Sequence, residues 1–160
     1  NLKELEAGLL LMAIAMLVDD GALGWDDPVT RHLPWFQLQD PYVTREVTLR
    51  DLLSHRSGLA RGDLLWGAAM FDRREVLRRV RFLEPSWGFR SQFGYQNLMY
   101  MAAGEVVHEA SGTSWEDFVA RRIFTPLGMS TSSTSIPSGS STTTVRTASR
   151  PSTAVVCGAP

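Results

Sequence analysis

The chain has 160 residues, 44% of them hydrophobic, which suits one compact body with a packed core. Its 16 basic and 17 acidic residues leave a formal charge of -1, excluding an overall field that would gather nucleic acid or an anionic membrane. The single cysteine, Cys157, permits no internal disulfide, and His32, His55 and His108 lack metal-ligand spacing, so no metal or other cofactor is expected.

The first predicted element is a helix over Leu5 to Val18, apolar on nearly every face and therefore expected to be enclosed on all sides. Its longest apolar run, Gly8 to Val18, is 11 residues, short of the roughly 20 that span a bilayer. Glu4 and Glu6 ahead of it argue against a signal peptide. The chain opens on Asn1 rather than a methionine, so a start further upstream is expected. Asp19-Asp20-Gly21 should close the helix with a left-handed glycine. From Trp25 to Val47, prolines 28, 34 and 41 and interleaved aromatics predict a loop laid on the core through Trp25, Trp35, Phe36 and Tyr42.

Thr48-Leu-Arg-Asp51 has the spacing of a capping box, opening a short helix that Gly58 ends. Asp72-Arg-Arg-Glu75 opens another, with Val76, Leu77, Val80 and Leu83 on one side and Arg74, Arg78 and Arg81 on the other. Those arginines are expected to form a solvated face: Glu75 and Arg79 make an i,i+4 pair, and no stacking aromatics interleave with them. Pro85 to Phe93 reads as a loop. Leu98 to Ala110 carries apolar residues at 98, 99, 102, 103, 106 and 107, a helix stopped by Gly112. Thr113-Ser-Trp-Glu116 predicts a second capping box, before a helix that buries Trp115, Phe118, Val119 and Ile123 and stops at Pro126. Five helices and almost no strand signal result, so the expected class is mainly α.

At Ser130 the composition changes: 16 of the 24 residues from Ser130 to Thr153 are serine or threonine, and no acid follows Asp117. Such a stretch buries too little apolar area to offset its ordering entropy. The expected organisation is a domain over 1–129 and a disordered Ser/Thr-rich tail over 130–160, whose abrupt onset has the look of a shifted reading frame.

Three stretches carry chemistry when taken together: Ala15 to Val29 (Ala-Met-Leu-Val-Asp-Asp-Gly-Ala-Leu-Gly-Trp-Asp-Asp-Pro-Val), Thr48 to Leu59 (Thr-Leu-Arg-Asp-Leu-Leu-Ser-His-Arg-Ser-Gly-Leu), and Tyr95-Gln-Asn97 with the segment running on to Met129. In this order and at these separations the chain resembles the serine hydrolases of the β-lactamase and penicillin-binding-protein type, particularly their class C-like and esterase branches. The resemblance implies the helical portion of a β-lactamase/transpeptidase-like α/β fold lacking most of its sheet. It also implies an acyl-enzyme mechanism, in which a serine attacks a carbonyl, a lysine one turn later helps deprotonate it, and a tyrosine shuttles the proton. Tyr95 matches that tyrosine, and Asn97 the amide that would hold the lysine or the substrate. Read without the resemblance, Tyr95 is a half-buried aromatic and Asn97 the N-cap of the next helix.

The sequence departs from the family pattern at two places. Counting back from Gly21 puts Ser-x-x-Lys on Glu4-Leu-Glu-Ala7, which holds neither residue. A serine ahead of Asn1-Leu-Lys3 would restore the motif at the expense of one extra helical turn. The Lys/His-x-Gly strand is missing altogether. The chain as given is therefore expected to be an inactive portion of a serine hydrolase; a non-catalytic binding module and a gene remnant are the alternatives. The implied partner is a small-molecule ester, lactam or peptide, with no nucleic acid and no membrane span. His55 two residues before Ser57 and next to Ser54 has no orienting third group, so a structural role is expected for it.

Overall fold

The computed structural model describes residues 2–59, 62 and 71–134, with backbone alone for 2–4. It is mainly helical. Helices α1 (Leu2–Asp19), α2 (Val29–His32), α3 (Pro41–Glu46), α4 (Leu49–Leu53), α5 (Arg73–Arg79), α6 (Asn97–Ser111) and α7 (Trp115–Val119) follow in chain order. A 3-10 turn extends α5 over Val80–Phe82, and a π-helical turn extends α7 over Ala120–Phe124. Among the described residues the only β-pairing is an isolated antiparallel bridge between Pro28 and Thr48. No described helix is long and apolar enough to cross a membrane. The Ser/Thr-rich segment beyond residue 134 lies outside the described residues.

Helix α6 runs through the centre. Leu98, Met99, Ala102, Ala103, Val106 and Val107, the positions marked by helical spacing, are all buried. α1 packs against α6 through Leu10, Ala13, Ile14 and Leu17, and Leu33, Phe36, Leu49 and Leu52 complete the core. Leu9, Val119, Ile123 and Phe124 form a second cluster, where α7 and its π-turn meet the back of α1. Gly21 and Gly112 take the expected left-handed conformation behind their helices, with φ of 75° and 69°; Gly58 is also left-handed, φ 89°, but does not end α4, which stops at Leu53 with Ser54 as its cap.

The structure corrects several expectations. α1 is enclosed on one side only: Leu5, Leu11 and Met12 are 41%, 45% and 47% exposed. The stretch from Trp25 to Val47 holds two short helices rather than loop alone. Pro41 sits in the first turn of α3 behind the Asp40 cap, whose carboxylate accepts from Tyr42 N–H at 2.7 Å, so the proline starts a helix where it was read as breaking one. Tyr42 is exposed and takes no part in the core. The second capping residue is Ser114, accepting from Asp117 N–H at 3.0 Å, because Thr113 is engaged with Ser111. Gln96, not Asn97, caps α6. The arginine face of α5 is exposed as expected, with Glu75 and Arg79 paired at 2.8 Å. Yet Arg74 and Arg78 lie over the ring of Trp35, 4.8 and 5.9 Å from its centroid, an aromatic supplied from far away in sequence.

The box at Thr48 does more than cap α4. The buried Asp51 carboxylate accepts from Thr48 N–H (3.0 Å) and Thr48 hydroxyl (2.9 Å), and from Arg90 Nε (2.9 Å) and Nη2 (2.7 Å). Arg90 also donates to Glu46 carbonyl at 3.0 Å, tying the loop after α5 to the end of α3 as well. Burial alone would raise the Asp51 pKa, but the Arg90 fork and the Thr48 donors outweigh it and hold the carboxyl below its ordinary value of 3.8.

Two predictions follow from this packing. A hydrophobic dye should bind the 160-residue chain through the open face of α1, and Leu11→Gln with Met12→Gln should lower that signal while leaving the helical circular dichroism intact. A dye-silent monomer with sharp cooperative unfolding would contradict this. For Asp51→Ala, urea unfolding should show a loss of about 2–4 kcal/mol, since it removes a cap and leaves Arg90 without its partner. Because the folded pKa is depressed, the Asp51 contribution is present above about 3.8 and is lost as pH falls below it. The variant's acid limb should be correspondingly flatter than that of the parent.

Candidate active site

Between the N-terminal halves of α1 and α6 lies a cleft of about 280 Å³, its described lining drawn from six parts of the chain. α1 contributes Glu6, Ala7 and Leu10; α6 contributes Asn97, Tyr100, Met101 and Gly104; the loop before α6 contributes Tyr95; and His55, Arg73 and Trp115 complete the wall. The two residues singled out from the sequence, Tyr95 and Asn97, thus share one cleft.

The local backbone explains why. Gln96 is extended (φ -145°, ψ 112°), so its neighbours on either side project to the same face while its own side chain points the other way. That side chain is fully buried and caps α6, accepting from Leu98 N–H at 3.2 Å. Gly94, two residues before Gln96, leaves no room for a side chain: a Cβ there would lie 2.1 Å from Cζ2 of Trp87. Its N–H donates to His55 carbonyl at 2.8 Å.

His55 fastens this loop a second time. Gln96 N–H donates to His55 Nδ1 at 3.1 Å, leaving the ring proton on Nε2. The imidazole stacks on Tyr100 (4.8 Å between centroids, 18° between planes), tilts against Tyr95 (4.8 Å, 40°) and meets Phe93 edge-on (5.4 Å, 84°). To reach this position His55 takes a left-handed backbone conformation, φ 56°. Burial pushes its pKa below the ordinary 6.5, so the ring is neutral at neutral pH. Ser54, beside it in sequence, instead donates to Arg50 carbonyl at 2.7 Å and is exposed. Tyr100 donates its hydroxyl to Leu53 carbonyl at 3.0 Å, and burial, followed by the nearby Tyr95, raises its pKa.

His55, Glu6, Arg73, Tyr100 and Trp115 were not picked out as site residues from the sequence. The one available signal was spacing: 97, 100/101 and 104 on α6, and 6/7 and 10 on α1, each mark one helix face. Nothing local connects Arg73 or Trp115 to them. Arg73 Nη2 donates to Glu116 Oε1 at 2.5 Å, which anchors α5 to α7 at the rim. Among the described residues no group of three or more His, Cys, Asp or Glu side chains is placed to hold a metal ion.

Residues 9–157 match the family model described as Beta-lactamase, a match that runs past residue 129 into the Ser/Thr-rich segment. An unguisins hydrolase of Aspergillus campestris is 30% identical over 125 residues, which is 72% of this chain and 23% of that protein. Penicillin-binding protein 4 of Amycolatopsis lactamdurans is 35% identical over 127 residues, 76% of this chain and 32% of the relative. Among solved structures, the octameric penicillin-binding protein homologue from Pyrococcus abyssi superposes with a TM-score of 0.66 at 27% identity, over 78% of this chain and 30% of that one. The chain therefore spans about a quarter to a third of the length of these relatives. With the family model matched over most of its length and the same fold in a solved penicillin-binding protein homologue, the chain belongs to the β-lactamase family.

Proposed function

We propose that the chain supplies the tyrosine half of an acyl-transfer site for ester or amide hydrolysis, and that these 160 residues do not turn substrate over because they carry no nucleophile. The observation that carries this reading is the composition of the cleft. Tyr95 and Asn97 line it together with Ala7, the residue at the register where the family pattern has its lysine. Tyr95 is the proton shuttle in this reading, lining the cleft with its ring held against His55. Asn97 orients the substrate amide or the missing lysine. His55 is a positioning residue that acts through Tyr95 and Gln96. The relatives named above are a hydrolase of unguisins and a penicillin-binding protein, which supports an acyl substrate and leaves its class open between ester, lactam and peptide. In this reading residues 1–129 form the domain and 130–160 a tail.

A second reading, a binding module of the same fold, draws on the cleft's standing open between α1 and α6 with no serine or lysine among its described lining residues. It differs in one outcome: a lactam or peptide binds and is not consumed. A chain that purifies unfolded would instead favour a gene remnant.

The expected result with the 160-residue chain is no hydrolysis of p-nitrophenyl esters or a chromogenic cephalosporin and no labelling by a fluorophosphonate. Stoichiometric labelling would refute the inactive reading. In a version supplied with Ser-x-x-Lys and a Lys/His-x-Gly strand, activity should appear, and Tyr95→Phe should then lower kcat by on the order of 10² to 10⁴. Asn97→Ala should cost less, through misplaced neighbours. Full activity of Tyr95→Phe would remove the role given to that phenol.

A further inference from the structure

A second cavity, of about 180 Å³, shares none of its described lining with the cleft. It lies between the start of α3 and the segment 83–89. Leu38, Leu59, Leu83, Trp87 and Phe89 give it apolar walls, and Ser57 gives it a polar one. Its volume exceeds the roughly 150 Å³ that holds a benzene ring in a protein interior, which leaves space for one ring and a small substituent.

Two donors in this wall have no acceptor. Ser57 is 3% exposed; its hydroxyl oxygen accepts from Leu59 N–H at 3.4 Å, and its proton has no acceptor among the described residues. Trp87 Nε1 is buried and likewise has no partner among them. Buried donors are nearly always paired with protein, water or a bound molecule. Apolar walls with idle donors suit a ring that carries an oxygen acceptor. Asp40 stands exposed at the rim, its carboxylate accepting from Tyr42 N–H, and its charge disfavours an anionic acceptor. A neutral carbonyl is the oxygen that fits.

We propose that this cavity is a ligand site separate from the cleft, taking a neutral aryl ketone or aldehyde the size of acetophenone, with its carbonyl on the Ser57 hydroxyl and its ring against Trp87 and Phe89. Its occupant bears on the cleft through Trp87. Ser86 and Trp87 N–H both donate to Gly58 carbonyl, at 2.9 and 3.3 Å, and the Trp87 ring occupies the place where Gly94 lacks a side chain. Gly94 precedes Tyr95 directly, and its N–H donates to His55 carbonyl. A ligand that holds the Trp87 ring therefore steadies the loop that presents Tyr95.

The test is NMR titration of the 160-residue chain with acetophenone and with α-methylstyrene, in which a methylene group replaces the carbonyl oxygen. Acetophenone should move the indole N–H signal of Trp87 and leave that of Trp115, in the cleft wall, in place. From the parent to Ser57→Ala, the Kd of acetophenone should rise about threefold to tenfold relative to that of α-methylstyrene, the worth of one hydrogen bond. Val43→Trp, which enlarges a lining side chain, should abolish binding of both with the helical circular dichroism unchanged. Should that variant fail to fold, Leu83→Phe in the same wall should weaken both. With acetophenone at ten times its Kd, hydrogen exchange of Gly94 N–H should slow about tenfold, since opening the loop then requires release of the ligand. Movement of the Trp115 signal alone, an affinity ratio unchanged by Ser57→Ala, binding untouched by the Val43 and Leu83 variants, or Gly94 exchange indifferent to saturation would overturn the proposal. A cavity that holds only water gives none of the expected responses and overturns it as well.

Discussion

The arrangement around the cleft depends on one buried carboxylate. Asp51 gathers four donors from Thr48 and Arg90, and it can stay ionised in a buried position only because those donors replace the water it has lost. The geometry it fixes reaches further than its own helix. Arg90 belongs to the loop that runs on to Tyr95, so the Asp51 fork holds one end of that loop to α4. His55, two residues past the other end of α4, holds the far end through Gln96 N–H and Gly94 N–H. A helix of five residues is thus clamped at both ends to the segment that presents Tyr95 and Asn97.

Much of this was legible in the sequence because it depends on local chemistry. The box at Thr48 and Asp51, the glycine stops at 21 and 112, and the six apolar positions of α6 each follow from interactions within one or two turns. The Tyr-x-Asn spacing was legible for a similar reason: a single extended residue between them is enough to bring both to one face. Elements too short to show a period were missed. α2 and α3 have four and six residues, and Pro28 and Pro41 read as interruptions until their places at the helix starts are known. The cap of α6 was misplaced by one residue, since Gln96 and Asn97 offer the same amide chemistry and only the backbone angles separate them.

The rest of the site was hidden because it is assembled over long separations. His55 meets the Tyr95 loop across about 40 positions of chain, and nothing near Ser54-His55-Arg56 indicates that its ring nitrogen will accept from Gln96. Its left-handed backbone is the local sign of that demand: a non-glycine residue accepts such strain where surrounding contacts over-determine its place. Trp35 shows the same limit elsewhere in the fold, where it lies under Arg74 and Arg78 from nearly 40 residues away and gives an exposed arginine face an aromatic contact.

These clamps also separate the scaffold of the cleft from its chemistry. Asp51, Arg90, Gly94, His55 and Gln96 hold the Tyr95 loop through contacts with one another, at sites far along the chain from the start of α1. α1 meets the cleft with its first turns, yet its packing energy comes from Leu10, Ala13, Ile14 and Leu17, further along. Substituting the start of α1 therefore removes little that the loop needs. The walls that Tyr95, Asn97 and Tyr100 give the cleft can therefore persist when the first turns of α1 change.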